Sequence, residues 1–227
     1  MENSWTPADL AQMRKAHDRG ALAETDLAPT PLAQFERWLR EAAEAGVAEP
    51  NTMVLAAADA AGRPSARLVL LKGVDAAGFR FFTNQGSRKA QALAGNPQVS
   101  LLFPWHDLHR QVEVRGAAER MSAADSAAYF RTRPRESQLA AWASRQSMPL
   151  ADRAELETQL AELRARWPAD TEIPMPDFWG GYLVRAETVE FWHGRESRLH
   201  DRLRYEALRP GAPLDDPAAW RVRRYAP

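Results

Sequence analysis

Two groups of residues in this sequence have the chemistry to hold a phosphate. In residues 67–90, RLVLLKGVDAAGFRFFTNQGSRKA, Arg67 and Lys72 fall at the two ends of one apolar run, Thr83 closes the next, and Arg88 and Lys89 follow Ser87. Guanidinium, ammonium and hydroxyl donors beside the free N–H groups of a helix start suit a dianionic phosphate. The same spacing equally describes ordinary surface cations flanking a hairpin. Further on, Tyr129, Arg133 and Ser137 recur every fourth residue, so a phenol, a guanidinium and a hydroxyl would share one face of a continuous helix. Pro134 interrupts that helix, so a helix corner with a satisfied arginine fits as well. A third group, Arg198, His200 and Arg202, alternates. In a strand these three would point to one face and would need an anion, an electron-rich ligand or solvent there.

Elements must position these groups. Residues 67–72 read as a largely buried strand, Asp75-Ala76-Ala77-Gly78 as a turn, and residues 79–83 as the returning strand. Asn84-Gln85-Gly86 breaks the pattern, and Ser87 stands where a helix N-cap belongs. Upstream, residues 7–19 suit a short helix ended by Gly20, and the segment before Thr30 has little apolar content, as a mobile flap would. Residues 31–45 carry Leu32, Phe35, Trp38, Leu39 and Ala42 at helical spacing, with Gly46 as the stop. Residues 52–58 form a strand that turns at Asp59-Ala60-Ala61-Gly62 into the Arg67 strand. Residues 99–105 and 111–120 are the next strand pair; Val112 and Val114 alternate with polar neighbours, and Gly116 marks a bulge. Ser122 caps a helix that stops at Pro134, and a second helix runs through Ser137, Leu139 and Trp142. Residues 150–167 make a charged helix with a Leu156–Leu160–Leu163 seam; strands resume at Phe178, and residues 220–225 are the last. The set is strands in hairpin order with helices between and around them. No βαβ alternation and no GxGxxG motif is present, which excludes a Rossmann site.

Composition narrows the function classes. The chain has 227 residues, enough for one domain, and 30 basic residues balance 30 acidic ones. That balance argues against nucleic-acid binding by bulk charge. There is no cysteine, so thiolate nucleophiles, disulfides and cysteine-ligated metals are excluded, and no metal site is expected. The N-terminus has no basic start followed by an apolar core, and no apolar run approaches the roughly 20 residues that span a bilayer. The expected compartment is the cytoplasm, with no membrane partner.

RLVLLK, FFTNQGSRKA, SLLFPW, RQVEVRG, RPRESQLAAWASRQS, FWGGY and FWHGRESRLHDR, in this order, resemble the pyridoxamine 5′-phosphate oxidase family. The resemblance runs from about Leu32 to the C-terminal RRYAP. It implies a mainly β fold with helices (α+β), an antiparallel Greek-key split β-barrel over residues 31–227, preceded by a flap in residues 1–30. It also implies a homodimer with FMN at the subunit interface. The FMN ligands it implies are Arg67, Lys72, Phe82, Thr83, Arg88, Lys89, Gln111, Gln146, Ser147, Trp192 and Arg202. The substrate ligands are Arg14, His17, Lys72, Tyr129, Arg133, Ser137, Arg198 and His200. Arg14 matches the family's basic flap residue, whereas His17 stands where the family has a tyrosine. Arg198 and His200 lie nearest the reacting carbon by this analogy, His200 as a hydrogen-bonding group or a base. The reaction implied is oxidation of pyridoxamine or pyridoxine 5′-phosphate to pyridoxal 5′-phosphate, with O2 reduced to hydrogen peroxide. Two alternatives compete. A split-barrel flavin reductase would lack the Tyr129, Arg133, Ser137 and Arg198-Leu199-His200 set; a non-catalytic FMN or pyridoxal phosphate binder would keep it.

Overall fold

The computed structural model describes residues 20–227. Among them the first helix, α1 (Pro31–Glu44), begins as its sequence dictates: the Thr30 hydroxyl accepts from the Ala33 N–H at 3.2 Å and Pro31 occupies the first turn. Its apolar stripe, Phe35, Trp38 and Ala42, is buried against the sheet, each large ring removing enough apolar surface to contribute about 2 kcal/mol. Phe35 meets Phe79 and Phe103 edge-on at 5.0 and 4.9 Å. Gly46 takes a φ of +77°, the left-handed stop expected of it.

Nine strands form one curled antiparallel sheet: β1 (Thr52–Ala58), β2 (Pro64–Leu70), β3 (Gly73–Asp75), β4 (Gly78–Asn84), β5 (Gln98–Trp105), β6 (Arg110–Arg120), β7 (Trp179–His193), β8 (Asp201–Ala207) and β9 (Trp220–Arg224). The order is β2-β1-β5-β6-β7-β4-β3, with β8 also on β7 and β9 on β8. This mainly β, α+β arrangement is the split barrel expected. Strand β7 is its hub. Along one edge it pairs with β6; along the other its first half pairs with β4 and its second half with β8. At Gly116 the β6–β7 register shifts, as a bulge requires. A Cβ there would sit 1.9 Å from the Arg185 carbonyl oxygen, so only glycine lets the two backbones approach.

Helices α2 (Arg88–Gly95), α3 (Ala123–Thr132), α4 (Arg135–Ala143) and α5 (Arg153–Arg166) complete the domain. The Ser122 hydroxyl caps α3 by accepting from the Asp125 N–H. The charged helix starts at Arg153 rather than at 150, because the Asp152 carboxylate caps it through the Glu155 N–H. Phe130, Leu139, Ile173 and Trp179 form a second apolar cluster where α3 and α4 meet β7.

The structure corrects the expected hairpin. Strand β2 pairs along its whole length with β1, Thr52 opposite Leu70, and not with β4. The chain leaves that pair at Leu71, whose N–H and carbonyl both bond Asn51, and the Lys72 N–H then donates to the Arg80 carbonyl. The hairpin partner of β4 is therefore the short β3, and Arg67 and Lys72 do not end one strand. Residues 20–30, expected to be mobile, lie against β8 and β9. Leu22 is buried, the Asp201 carboxylate accepts its N–H, and Arg224 donates to its carbonyl. Arg14 and His17 fall outside the described residues.

Candidate active site

The crossing from β2 to β3 places polar side chains from separate segments around one cavity of about 450 Å³. Arg67 and Lys72 come from β2 and the bend after it, Phe82, Thr83 and Asn84 from the end of β4, and Lys89 from the first turn of α2. Tyr129 and Arg133 come from the end of α3, Ala140, Ala141 and Ser144 from α4 and its end, Gln146 from the loop beyond, and Trp179 from β7. No Asp or Glu lines it.

The electrostatics follow from that absence. Lys89 is 8 % exposed, and its ammonium donates to the Thr83 hydroxyl (3.0 Å), the Ser87 hydroxyl (3.3 Å) and Gln146 Oε1 (2.8 Å), all neutral. Burial, with the Arg67 charge added, holds its pKa down at about 8. Burial also lowers Arg67 and Arg133. Arg133 Nη1 is buried with no hydrogen-bond partner. Three desolvated cations facing a cavity without a carboxylate call for an anion.

Ser87 does not cap α2 through its side chain; its hydroxyl is the Lys89 acceptor instead. The Ser147 hydroxyl, on a residue with φ +75°, accepts the Arg88 N–H at 3.3 Å and so organises the helix start from the 146–147 loop. Because Pro134 follows it, Arg133 is extended and ends α3, so Tyr129, Arg133 and Ser137 do not share a helix face. Tyr129 and Arg133 line the cavity; Ser137 does not.

Gln111, Trp192, Arg202, Arg198 and His200 lie elsewhere. Gln111, Trp192 and Arg202 sit opposite one another across β6, β7 and β8, forming one row. The His200 ring lies 4.6 Å from the Trp192 ring. Trp192 is twelve residues beyond Gly180, which pairs with Thr83 at the cavity, so roughly 40 Å of extended strand separates the row from the cavity. Arg198, His200 and Arg202 do not alternate along a strand as expected. Ser197 and Arg198 are left-handed (φ 55° and 62°), a tight turn occupies Glu196–Arg198, and β8 begins only at Asp201. The His200 Nδ1 accepts the Arg195 N–H at 3.0 Å, which in the neutral ring leaves the proton on Nε2. The Arg202 fork grips the buried Glu190 carboxylate through Nε (2.9 Å) and Nη2 (3.1 Å), and Arg204 grips it too. Burial alone would raise the Glu190 carboxyl; the two forks hold it below its ordinary value.

Sequence reasoning missed Asn84, Ser144, Trp179 and Glu190. Asn84 ties the cavity rim together by donating to the Ser144 carbonyl at 3.1 Å. Trp179 lies in the FWGGY motif, the one signal that pointed to it. The FMN implied by the resemblance fits the residues present: a phosphate suits the charge that Lys89 and Arg67 leave unbalanced.

Residues 39–167 match the family model described as pyridoxamine 5′-phosphate oxidase, and residues 179–227 match the pyridoxine 5′-phosphate oxidase C-terminal dimerisation region. A pyridoxine/pyridoxamine 5′-phosphate oxidase of Rubrobacter xylanophilus is 57 % identical over 203 residues, 89 % of this chain and 93 % of that protein. One from Thermobifida fusca is 50 % identical over 221 residues, covering 97 % and 99 %. Among solved structures, PhzG from Burkholderia lata, in complex with tetrahydrophenazine-1-carboxylic acid, superposes with a TM-score of 0.81 at 30 % identity, covering 92 % of this chain and 99 % of its own. A pyridoxamine 5′-phosphate oxidase-related FMN-binding protein of Nostoc punctiforme shares the fold, with a TM-score of 0.66 at 15 % identity, covering 92 % and 100 %.

Proposed function

The chain belongs to the pyridoxamine 5′-phosphate oxidase family, and we propose that it oxidises pyridoxamine 5′-phosphate and pyridoxine 5′-phosphate to pyridoxal 5′-phosphate with FMN as its cofactor. The observation that carries this reading is the carboxylate-free cavity with desolvated Lys89, Arg67 and Arg133 around it. Bound FMN supplies a two-electron acceptor for the hydride that leaves C4′ of the substrate. The protein supplies placement, and holding two reactants at near-attack distance is worth roughly 7–11 kcal/mol of barrier.

Arg67, Lys72, Thr83, Arg88, Lys89, Gln146 and Ser147 hold the cofactor's phosphate arm, with Phe82 beside them. Tyr129, Arg133 and Lys72 hold the substrate phosphate, with Ser137 at the edge of that site. Gln111, Trp192 and Arg202 contact the flavin ring from a second copy of the chain. That division explains why one cavity gathers Arg67, Lys72, Phe82, Thr83, Lys89 and Gln146 and none of the row. The matched C-terminal dimerisation region, residues 179–227, contains Trp192, Arg198, His200 and Arg202. Arg198 orients the substrate and stabilises charge that develops on its ring. His200 presents Nε2–H as a donor to the substrate's phenolate oxygen, because Arg195 occupies Nδ1. This favours the hydrogen-bonding role over the base. Glu190, through Nε and Nη2, and the Ala226 carbonyl, which accepts from Nη1 at 3.0 Å, fix the Arg202 fork in place. Dioxygen is the terminal acceptor, giving hydrogen peroxide, and with the amine substrate water hydrolyses the oxidised product to the aldehyde and ammonia.

The test is steady-state. FMN-loaded protein given either substrate in air should form pyridoxal 5′-phosphate and consume oxygen in equal amounts. Product formed without oxygen uptake would replace the acceptor; no product from either substrate would overturn the activity.

A further inference from the structure

One side chain at the cavity belongs to no group assigned above. Trp179 opens β7, is only 6 % exposed, and lines the cavity. The Arg133 guanidinium lies over its ring with Cζ 4.8 Å from the centroid, and 5.5 Å from that of Phe130. Phe82 stacks on the same indole at 5.3 Å and 9°, and Tyr129 stacks on Phe82 at 3.9 Å and 16°. One ring therefore backs the arginine while supporting the Phe82–Tyr129 stack.

Arg133 needs such a support. It ends α3 in an extended conformation, its contact with Phe130 of that helix is longer than the one with the indole, and no acidic residue lines the cavity to hold its fork. Its Nη1 is buried and unpartnered. A flat indole is suited to this: it attracts the cation through its π face and leaves the N–H edge uncommitted. A carboxylate in its place would take the N–H groups that a phosphate requires.

We propose that Trp179 is a positioning residue for phosphate recognition, holding the Arg133 fork toward the substrate phosphate. The proposal rests on the assignment of Arg133 to that phosphate. It ranks Trp179 with the specificity machinery, although the ring itself need not touch the substrate.

The test uses FMN-loaded protein and three variants, Trp179→Leu, Trp179→Phe and Arg133→Ala. Affinity for pyridoxal 5′-phosphate and for pyridoxal is measured by calorimetry, together with KM and kcat for pyridoxamine 5′-phosphate. Trp179→Leu should weaken pyridoxal 5′-phosphate about tenfold, as loss of a desolvated cation–π contact implies. It should raise KM by a similar factor, change kcat less than about twofold, and leave pyridoxal binding unaltered. Trp179→Phe should recover most of the loss, because it keeps an aromatic face. Equal weakening of the phosphorylated and unphosphorylated ligands, no rescue by phenylalanine, or loss of FMN from Trp179→Leu would overturn the proposal and leave a packing role. If Arg133→Ala binds both ligands as the parent does, the phosphate assignment itself falls, and the proposal with it.

Discussion

Lys89 concentrates the argument at the scale of a residue. Its ammonium is buried among three neutral acceptors and held at about pH 8 instead of the ordinary 10.5. Without a ligand, the folded chain therefore binds fewer protons than the unfolded chain between about pH 8 and 10.5. From this group, stability rises with pH across that window. A bound phosphate reverses the balance by favouring the charged amine. FMN binding at pH 9 should accordingly take up a proton, seen as a dependence of the calorimetric enthalpy on buffer ionisation heat; the dependence should vanish in Lys89→Met. A parent protein with no buffer dependence would place the phosphate away from Lys89. Arg198→Ala, at the left-handed turn before β8, should keep the protein yellow and slow flavin reduction by substrate at least tenfold in a stopped-flow experiment. Unchanged reduction would remove Arg198 from the site.

At the scale of the element, the β6–β7 pair sets the frame, and Gly116 is its tightest point. A methyl group there overlaps the Arg185 carbonyl, so Gly116→Ala should cost about 2 kcal/mol or more and lower Tm by roughly 4–8 °C. A Tm within one degree of the parent would show that the bulge yields. This bulge was legible in the sequence, as were α1 with its apolar stripe and Gly46 stop, β1 to its last residue, and the Ser122 cap, because each depends on local chemistry. The partner of β2 was legible only in part: the Asp59–Gly62 turn led from strand 52–58 into it, as the structure has it. Strands 67–72 and 79–83 also have the alternation and the turn of a hairpin, and only the seven-residue β1–β2 ladder with the Asn51–Leu71 bonds at its end decides that β2 does not pair with β4. The Arg198–Arg202 segment failed for a related reason: two non-glycine residues in the left-handed region carry no sequence signal. Trp179 was read as the start of a strand, and its place under Arg133 depends on helix α3 packing over β7.

For the whole molecule, the division of the site is the main consequence. The cavity group and the Gln111–Trp192–Arg202 row occupy opposite ends of β7, and a single flavin mononucleotide cannot span them along the strand. If a second copy brings its row to the cavity, Lys89→Ala and Trp192→Ala chains should each bind FMN weakly alone. Mixed dimers should then rebuild about a quarter of the sites by random assortment. Mixtures that bind no better than the separate variants would place both groups in one chain. None of the described helices is long and apolar enough to cross a membrane. The chemistry proposed rests on the flavin and on these two groups. The most direct measurement is an anaerobic mix of FMN-loaded protein with pyridoxamine 5′-phosphate, followed at the visible flavin absorbance. Bleaching within the first turnover, colour restored by air, and pyridoxal 5′-phosphate in the mixture are the predicted result; a flavin that stays yellow in the presence of bound substrate would contradict the account.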